Sequence, residues 1–241
     1  MWLARCGLIV WFLSTASTYV ASSLLGPIPI FSLTPFPESR VQSLLRSYEG
    51  APANHLLEGS IIPFAANATH ITSQGFRILT RSVTLGKGKA LYEKAVNLAL
   101  SFDVVNEHVN WAKIRSLHNS VGAPLASVTK VYGFLYSFNP CRIIDICRNK
   151  AAFAADLSSK EQKKCVYSQA CFTAVEGHLI AGEERFRVIH SLPSDEVEFE
   201  LFSFTKGNGL LGRVAMVLIR PLQRRFFQDI ISSMLKQCAA T

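Results

Sequence analysis

The sequence predicts an α+β fold in which a curved antiparallel sheet wraps a long C-terminal helix, a helix-grip arrangement. Two patterns carry this expectation. Strand-like runs with alternating apolar positions fill much of the stretch from Val128 to Thr205. After them, Leu211, Val214, Leu218, Leu222, Phe226 and Ile230 recur at helical spacing, forming one apolar stripe. A sheet with one apolar face must cover it, and the last helix is the only element long enough. Composition agrees: 49% of the 241 residues are apolar and 17% are charged, enough apolar material for a sizeable core. Glycine content, periodicity and cysteine density exclude collagen-like, coiled-coil and disulfide-knot chains. The net charge is +8, which names no partner by itself.

The elements follow in order. Residues 1–22 read as a signal or targeting peptide: Arg5, an apolar run from Gly7 to Leu13, then small and hydroxylated residues. That run is too short to span a bilayer. It fits a secretory signal or the first half of an address to a plastid. Residues 23–73 read as a proline-rich preface. Pro27, Pro29, Pro35 and Pro37 forbid regular helix and favour a linker. A short helix is expected from Glu38 to Tyr48 and irregular chain from Gly50 to Thr72, with a sequon at Asn67-Ala68-Thr69. The main domain is placed at 74–238. Its first strand is Phe76–Leu85, broken by Gly86-Lys87-Gly88. A helix from Lys89 to Asn106 follows, carrying Leu91, Ala95, Leu98 and Phe102 on one stripe.

Val121–Pro124 is read as a turn. Val128–Phe138 is read as one strand with Tyr132, Phe134, Tyr136 and Phe138 on a single aromatic face. Asn139-Pro140 interrupts it and Cys141–Cys147 resumes. Residues 148–169 are polar and lysine-rich, expected as an exposed insertion with a helical turn at Ser158–Lys164. Three strands, Ala170–Val175, Gly182–Ser191 and Glu196–Thr205, make a meander with a turn at Leu192–Asp195. The helix Leu210–Gln237 should kink at Pro221.

This order of elements is that of the START-like fold, also called the pollen-allergen or polyketide-cyclase type, and it also fits cystatin-like and other helix-grip folds. More specific is the segment Gly177-His178-Leu179-Ile180-Ala181-Gly182-Glu183-Glu184-Arg185-Phe186. It resembles the signature of a domain-of-unknown-function family of bacterial and plant proteins. The resemblance continues in Thr84-Leu85-Gly86-Lys87-Gly88, Asn139-Pro140-Cys141-Arg142, Glu200-Leu201-Phe202-Ser203-Phe204 and Leu222-Gln223-Arg224-Arg225-Phe226, in family order. It implies a START-like domain with an interior cavity. Plant members of the family are associated with the chloroplast outer envelope and channel activity. Two departures stand out: the connection at 148–169 is longer than usual, and the helix proline sits later.

Glu183 and Glu184 alternate on a strand and so point to opposite faces. If the Phe186 face is concave, Glu184 enters the cavity, where an unpaired carboxylate is costly and its pKa rises. His178 and Arg142 are its candidate partners, set against a plain structural tie between strands. Ligand-binding candidates are therefore Glu184, His178, Arg142, Tyr132, Phe134 and Phe186. No cofactor or metal is expected; Cys141/Cys147 and Cys165/Cys171 are each spaced too widely for a zinc knuckle, though a disulfide between the pairs is open. The phosphate loop and the nucleophile elbow have no match. Arg220, Arg224 and Arg225 read as a solvated helix face or a contact with a membrane surface, and nucleic acid is not expected. The leading expectation is binding of an apolar or lipid-like small molecule in a START-like cavity. The alternatives are a membrane-associated channel or envelope protein, and an enzyme of cyclase or hydrolase type using Glu184 and His178.

Overall fold

Alternating strands and one long C-terminal helix are present in the computed structural model, which describes residues 30–155 and 162–239. The order is β1 (Ile30–Ser32), α1 (Glu38–Ser47), α2 (Ala68–Ser73), β2 (Arg77–Lys87), α3 (Lys89–Leu100), α4 (Asp103–Asn106), β3 (Ala112–Ser116), β4 (Pro124–Val131), β5 (Leu135–Ala155), β6 (Gln162–Ala174), β7 (Ile180–Ser191), β8 (Glu196–Gly207) and α5 (Gly209–Ala239). The curved sheet runs β2-β8-β7-β6-β5-β4-β3, every neighbour antiparallel, with β1 paired to β5. This is the expected helix-grip fold. The signal segment 1–22 lies outside the described residues.

Several boundaries differ from the sequence reading. The helix Lys89–Asn106 is two helices, because Phe102 takes a left-handed conformation (φ 62°) and buries its ring among Phe172 and Phe186. Strand β3 was not expected. The aromatic strand Val128–Phe138 is instead a hairpin: Tyr132 (φ 52°) and Gly133 (φ 81°) turn the chain between β4 and β5. Pro140 does not interrupt β5. It sits where the neighbour of β5 changes, from β1 at Phe138 to β6 at Cys141, so its missing N–H falls at a junction of ladders. The expected insertion is largely sheet, since β5 reaches Ala155 and β6 starts at Gln162. Gln162–Lys164, placed in a helical turn from sequence, are strand; most of that turn falls outside the described residues.

Both faces of the sheet are covered. On the concave face, α3, α4 and the C-terminal half of α5 bury Tyr92, Val96, Val104, Phe227, Ile230 and Met234 against Phe186, Val188, Phe199 and Leu201. Each large side chain so buried is worth about 1.5–3 kcal/mol. The convex face is covered by the preface, which is therefore a packed layer and not merely a linker. Val41 and Leu45 of α1 pack with Phe138, whose ring stacks on Tyr48 and meets Phe36 edge-on. Ile61 and Ile71 pack with Phe76, Phe202 and Phe204. The stretch expected to be irregular from Gly50 to Thr72 contains most of α2, whose N-terminus is capped by the Asn67 side chain accepting from the His70 N–H at 3.0 Å.

The apolar stripe of α5 divides at Pro221. Ile230 is fully buried, while Val214 and Leu218 are 67% and 53% exposed. The C-terminal half fills the core; the N-terminal half stands off from the sheet. Gly212 holds its start in place. A Cβ there would collide with the Leu179 carbonyl, so only glycine lets this first turn seat against the β6–β7 connection.

Candidate functional site

Where the N-terminal half of α5 stands off, the concave face encloses a cavity of about 870 Å³. Its lining is chiefly apolar, built from Trp111, Ile114, Leu125, Phe172, Leu211, Ile219 and Phe226. That volume lies within the range typical of small-molecule sites. Leu33, Tyr132 and Leu218 line the cavity and are each more than half exposed, so the cavity opens between them. The Tyr132 hydroxyl donates to the Leu218 carbonyl at 3.2 Å, tying the hairpin tip to α5 at this mouth.

On β5, Leu135, Ser137, Asn139 and Cys141 face the cavity. Their neighbours Tyr136, Phe138 and Arg142 therefore face away. This corrects the aromatic face read from sequence. Phe138 packs under α1; Tyr136 stacks with Lys130; Phe134 is exposed and does not line the cavity. Arg142 is likewise on the convex side, paired with Glu58, and is no partner for Glu184. Phe186 lies on the concave face but is wholly buried among Phe102, Phe172 and Phe199, away from the cavity wall.

Glu184 lines the cavity. Its Oε1 is buried with no hydrogen-bond partner, and burial raises its pKa to about 8. At neutral pH it is chiefly the protonated acid. Burial, and to a lesser extent the nearby Glu184 carboxyl, push the Cys141 thiol up. His178, in the β6–β7 connection, also lines the cavity. Its Nδ1 accepts from the Ile180 N–H at 3.0 Å, which leaves the proton on Nε2, and burial lowers its pKa to about 4. The imidazole is neutral at neutral pH. Among the described residues no hydrogen bond joins it to Glu184.

The opposite face of the same strand does structural work. The Glu183 carboxylate accepts from the Gly59 and Ile61 N–H groups at 2.6 and 3.0 Å. Burial nevertheless raises its pKa to about 7, against the lowering effect of those two bonds. Arg185 donates to the Ile61 and Pro63 carbonyls at 2.6 and 3.0 Å and pairs with Glu200 at 2.7 Å. Arg187 donates to Gln169 Oε1, Phe64 O and Pro63 O at 2.9, 2.7 and 3.1 Å. The chain 59–64 is thus bolted to the convex face by charged groups. Gly182 precedes them at φ 144°, with the Phe204 carbonyl where a Cβ would stand, so β7 and β8 cross there only without a side chain.

Sequence reasoning missed Ser127, Thr129 and Ser137, which line the cavity with Asn139. Thr129 and Ser137 hydroxyls lie 2.7 Å apart, and Asn139 Nδ2 donates to Ser127 O at 2.8 Å and to Ser137 Oγ at 3.0 Å. The signal available was the polar alternation Ser137, Asn139 beside the aromatic one. Cys141, Cys147 and Cys171 are buried free thiols, so the disulfide between the cysteine pairs is not formed.

A family model described as Domain of unknown function (DUF1990) matches residues 64–233. No curated protein matches. Among solved structures, the chain is similar to an aromatase/cyclase from Streptomyces sp. R1128 (11% identity, TM-score 0.45, 68% of this chain and 94% of that one). It is similar to a hypothetical protein from Helicobacter pylori (11%, 0.44, 66% and 86%) and to a START superfamily protein from Mycobacterium smegmatis (10%, 0.42, 67% and 97%). At these identities and scores nothing about ligand or reaction passes to this chain.

Proposed function

The chain belongs to the DUF1990 family, and from the cavity that this domain encloses we propose that it binds an apolar, lipid-like small molecule. The observation that carries the proposal is the space of about 870 Å³ between β3–β7 and the N-terminal half of α5, apolar over most of its wall and open at Tyr132 and Leu218. A space this large and apolar is filled more favourably by an apolar ligand than by water. The test is titration with the neutral fluorophore N-phenyl-1-naphthylamine. Binding should saturate at one molecule per chain, and Ala215→Trp, which fills the cavity from α5, should abolish it. Non-saturating binding, or unaltered binding to Ala215→Trp, overturns the proposal.

One further observation favours a membrane surface as the place where the ligand is exchanged. Leu210, Val214 and Val217 are exposed on the outer side of the helix half that lines the cavity, and Arg213 and Arg224 flank them. An exposed apolar strip with basic neighbours suits an anionic lipid surface. Cosedimentation with phosphatidylcholine vesicles containing phosphatidylglycerol, lost in a Val214→Asp/Val217→Asp variant, tests this. Binding that is equal in the variant removes it. The channel alternative gains no comparable support: among the described residues the sheet stays open at β2 and β3, and no helix is long and apolar enough to cross a membrane. The enzyme alternative would require Glu184 and His178 to act together, and among the described residues no hydrogen bond joins them.

A further inference from the structure

The wall of the cavity carries two polar features of different kinds. The side chains of Thr129, Ser137 and Asn139 are tied to one another and to the Ser127 backbone carbonyl, with hydroxyl to hydroxyl at 2.7 Å and the amide donating at 2.8 and 3.0 Å. Glu184 is different. No described residue donates to its carboxyl or pairs with it, and one of its oxygens is fully buried without a partner. Buried polar groups are ordinarily hydrogen-bonded, and an orphan costs its full desolvation. A strand flanked by Phe172 on β6 and Ser203 on β8 holds this carboxyl at the cavity wall. Oε1 is sealed from the cavity, but the rest of the Glu184 carboxyl is partly accessible at the wall and has no described partner, and that open oxygen points to a group that the ligand supplies.

We infer that Glu184 is the anchor for an uncharged oxygen on the ligand, so that the class bound is an apolar chain or ring system ending in a ketone, aldehyde or alcohol. This rests on the cavity being the ligand site. The carboxyl is the donor and the ligand oxygen the acceptor. An anionic ligand is disfavoured, since among the described residues no lysine or arginine lines the cavity. The titratable neighbour of Glu184 is the thiol of Cys141 on β5, and another titratable side chain at the cavity wall, that of His178, is a neutral imidazole. The cavity-lining residues of α5 carry no titratable group, and the Glu183 carboxylate is spent on the far side of the sheet. A cationic amine would need the ionised carboxylate, which the apolar wall resists. The donor is lost as pH rises through about 8, and neither Cys141, held high, nor His178, held near 4, changes charge across that range.

The experiment is displacement of N-phenyl-1-naphthylamine by a matched series: dodecane, 2-dodecanone, dodecylamine and dodecanoate. One hydrogen bond should make 2-dodecanone bind about three- to tenfold tighter than dodecane at pH 6.5, and tighter than both charged members. The advantage should fade above pH 8. Glu184→Gln should keep the preference for the ketone and lose its pH dependence; Glu184→Leu should bind the ketone no better than dodecane. If dodecylamine binds tightest, Glu184 is a counter-ion and the inference is wrong. If ketone and alkane bind alike in the wild type, Glu184 does not meet the ligand, while the cavity reading survives. If the fluorophore saturates at the cavity and no member displaces it, the inference likewise fails. If the fluorophore itself does not saturate, the underlying cavity reading is what falls.

Discussion

Replacing Glu184 with glutamine should stabilise the empty protein, and increasingly so as pH rises. The glutamine keeps the shape and removes the charge. In the folded chain the Glu184 pKa is about 8, against an ordinary value of 4.5 that the unfolded chain recovers. Between those values the folded protein holds a proton that the unfolded chain releases. Stability therefore falls with increasing pH across this window, by up to 1.36 kcal/mol per pH unit, and is unaffected by this group below 4.5. At pH 7 the cumulative cost is about 3 kcal/mol, an upper value because local opening relieves it. Glu183 and His178 also titrate between pH 4 and 7 but are common to both proteins and cancel in the difference. The assay is equilibrium urea unfolding of wild type and Glu184→Gln at pH 4.5, 6, 7 and 8. The gap should be near zero at pH 4.5 and widen in favour of glutamine. A constant gap would show that folding leaves the carboxyl's pKa unshifted, and one that closes as pH rises that the fold favours the carboxylate; either refutes the reasoning.

Two other substitutions probe the frame that holds this site. Arg185→Ala leaves the Ile61 carbonyl without its donor, and leaves Glu200 and the Pro63 carbonyl with Arg187 alone, in a layer where Arg185 is 2% exposed. It should cost about 3–5 kcal/mol in urea unfolding and make the segment 54–66 the first site of limited proteolysis. Gly182→Ala forces a Cβ into the Phe204 carbonyl at a positive φ; a loss of at least ~2 kcal/mol is expected, and a variant as stable as wild type would contradict the close crossing of β7 and β8.

What the sequence made legible was set by periodicity. The long helix, the meander β6–β8 and the opposite facing of Glu183 and Glu184 all follow from 3.6- and 2-residue repeats. Alternation says which residues share a face, however, and not which face is inside. On β5 both faces are covered, since α1 lies over Phe138 while α5 lies over Ser137 and Asn139. The aromatic set was therefore assigned to the cavity when the plainer set lines it. The hairpin at Tyr132-Gly133 was hidden because a tyrosine rarely takes φ 52° and the apolar alternation runs on through it. The preface read as linker because its prolines forbid regular structure, yet the chain packs through backbone groups that Glu183, Arg185 and Arg187 satisfy from the sheet. The exposure of Val214 and Leu218 could not be read from their stripe, which continues unbroken into the buried Ile230.

The most direct test of the central claim is a crystal structure of the protein grown with 2-dodecanone. The account predicts the alkyl chain inside the cavity between Leu135–Cys141 of β5 and Leu211–Leu222 of α5, with the carbonyl oxygen within hydrogen-bonding distance of Glu184. A cavity filled by ordered water, or closed by α5 settling onto the sheet with no room for a ligand, would contradict it.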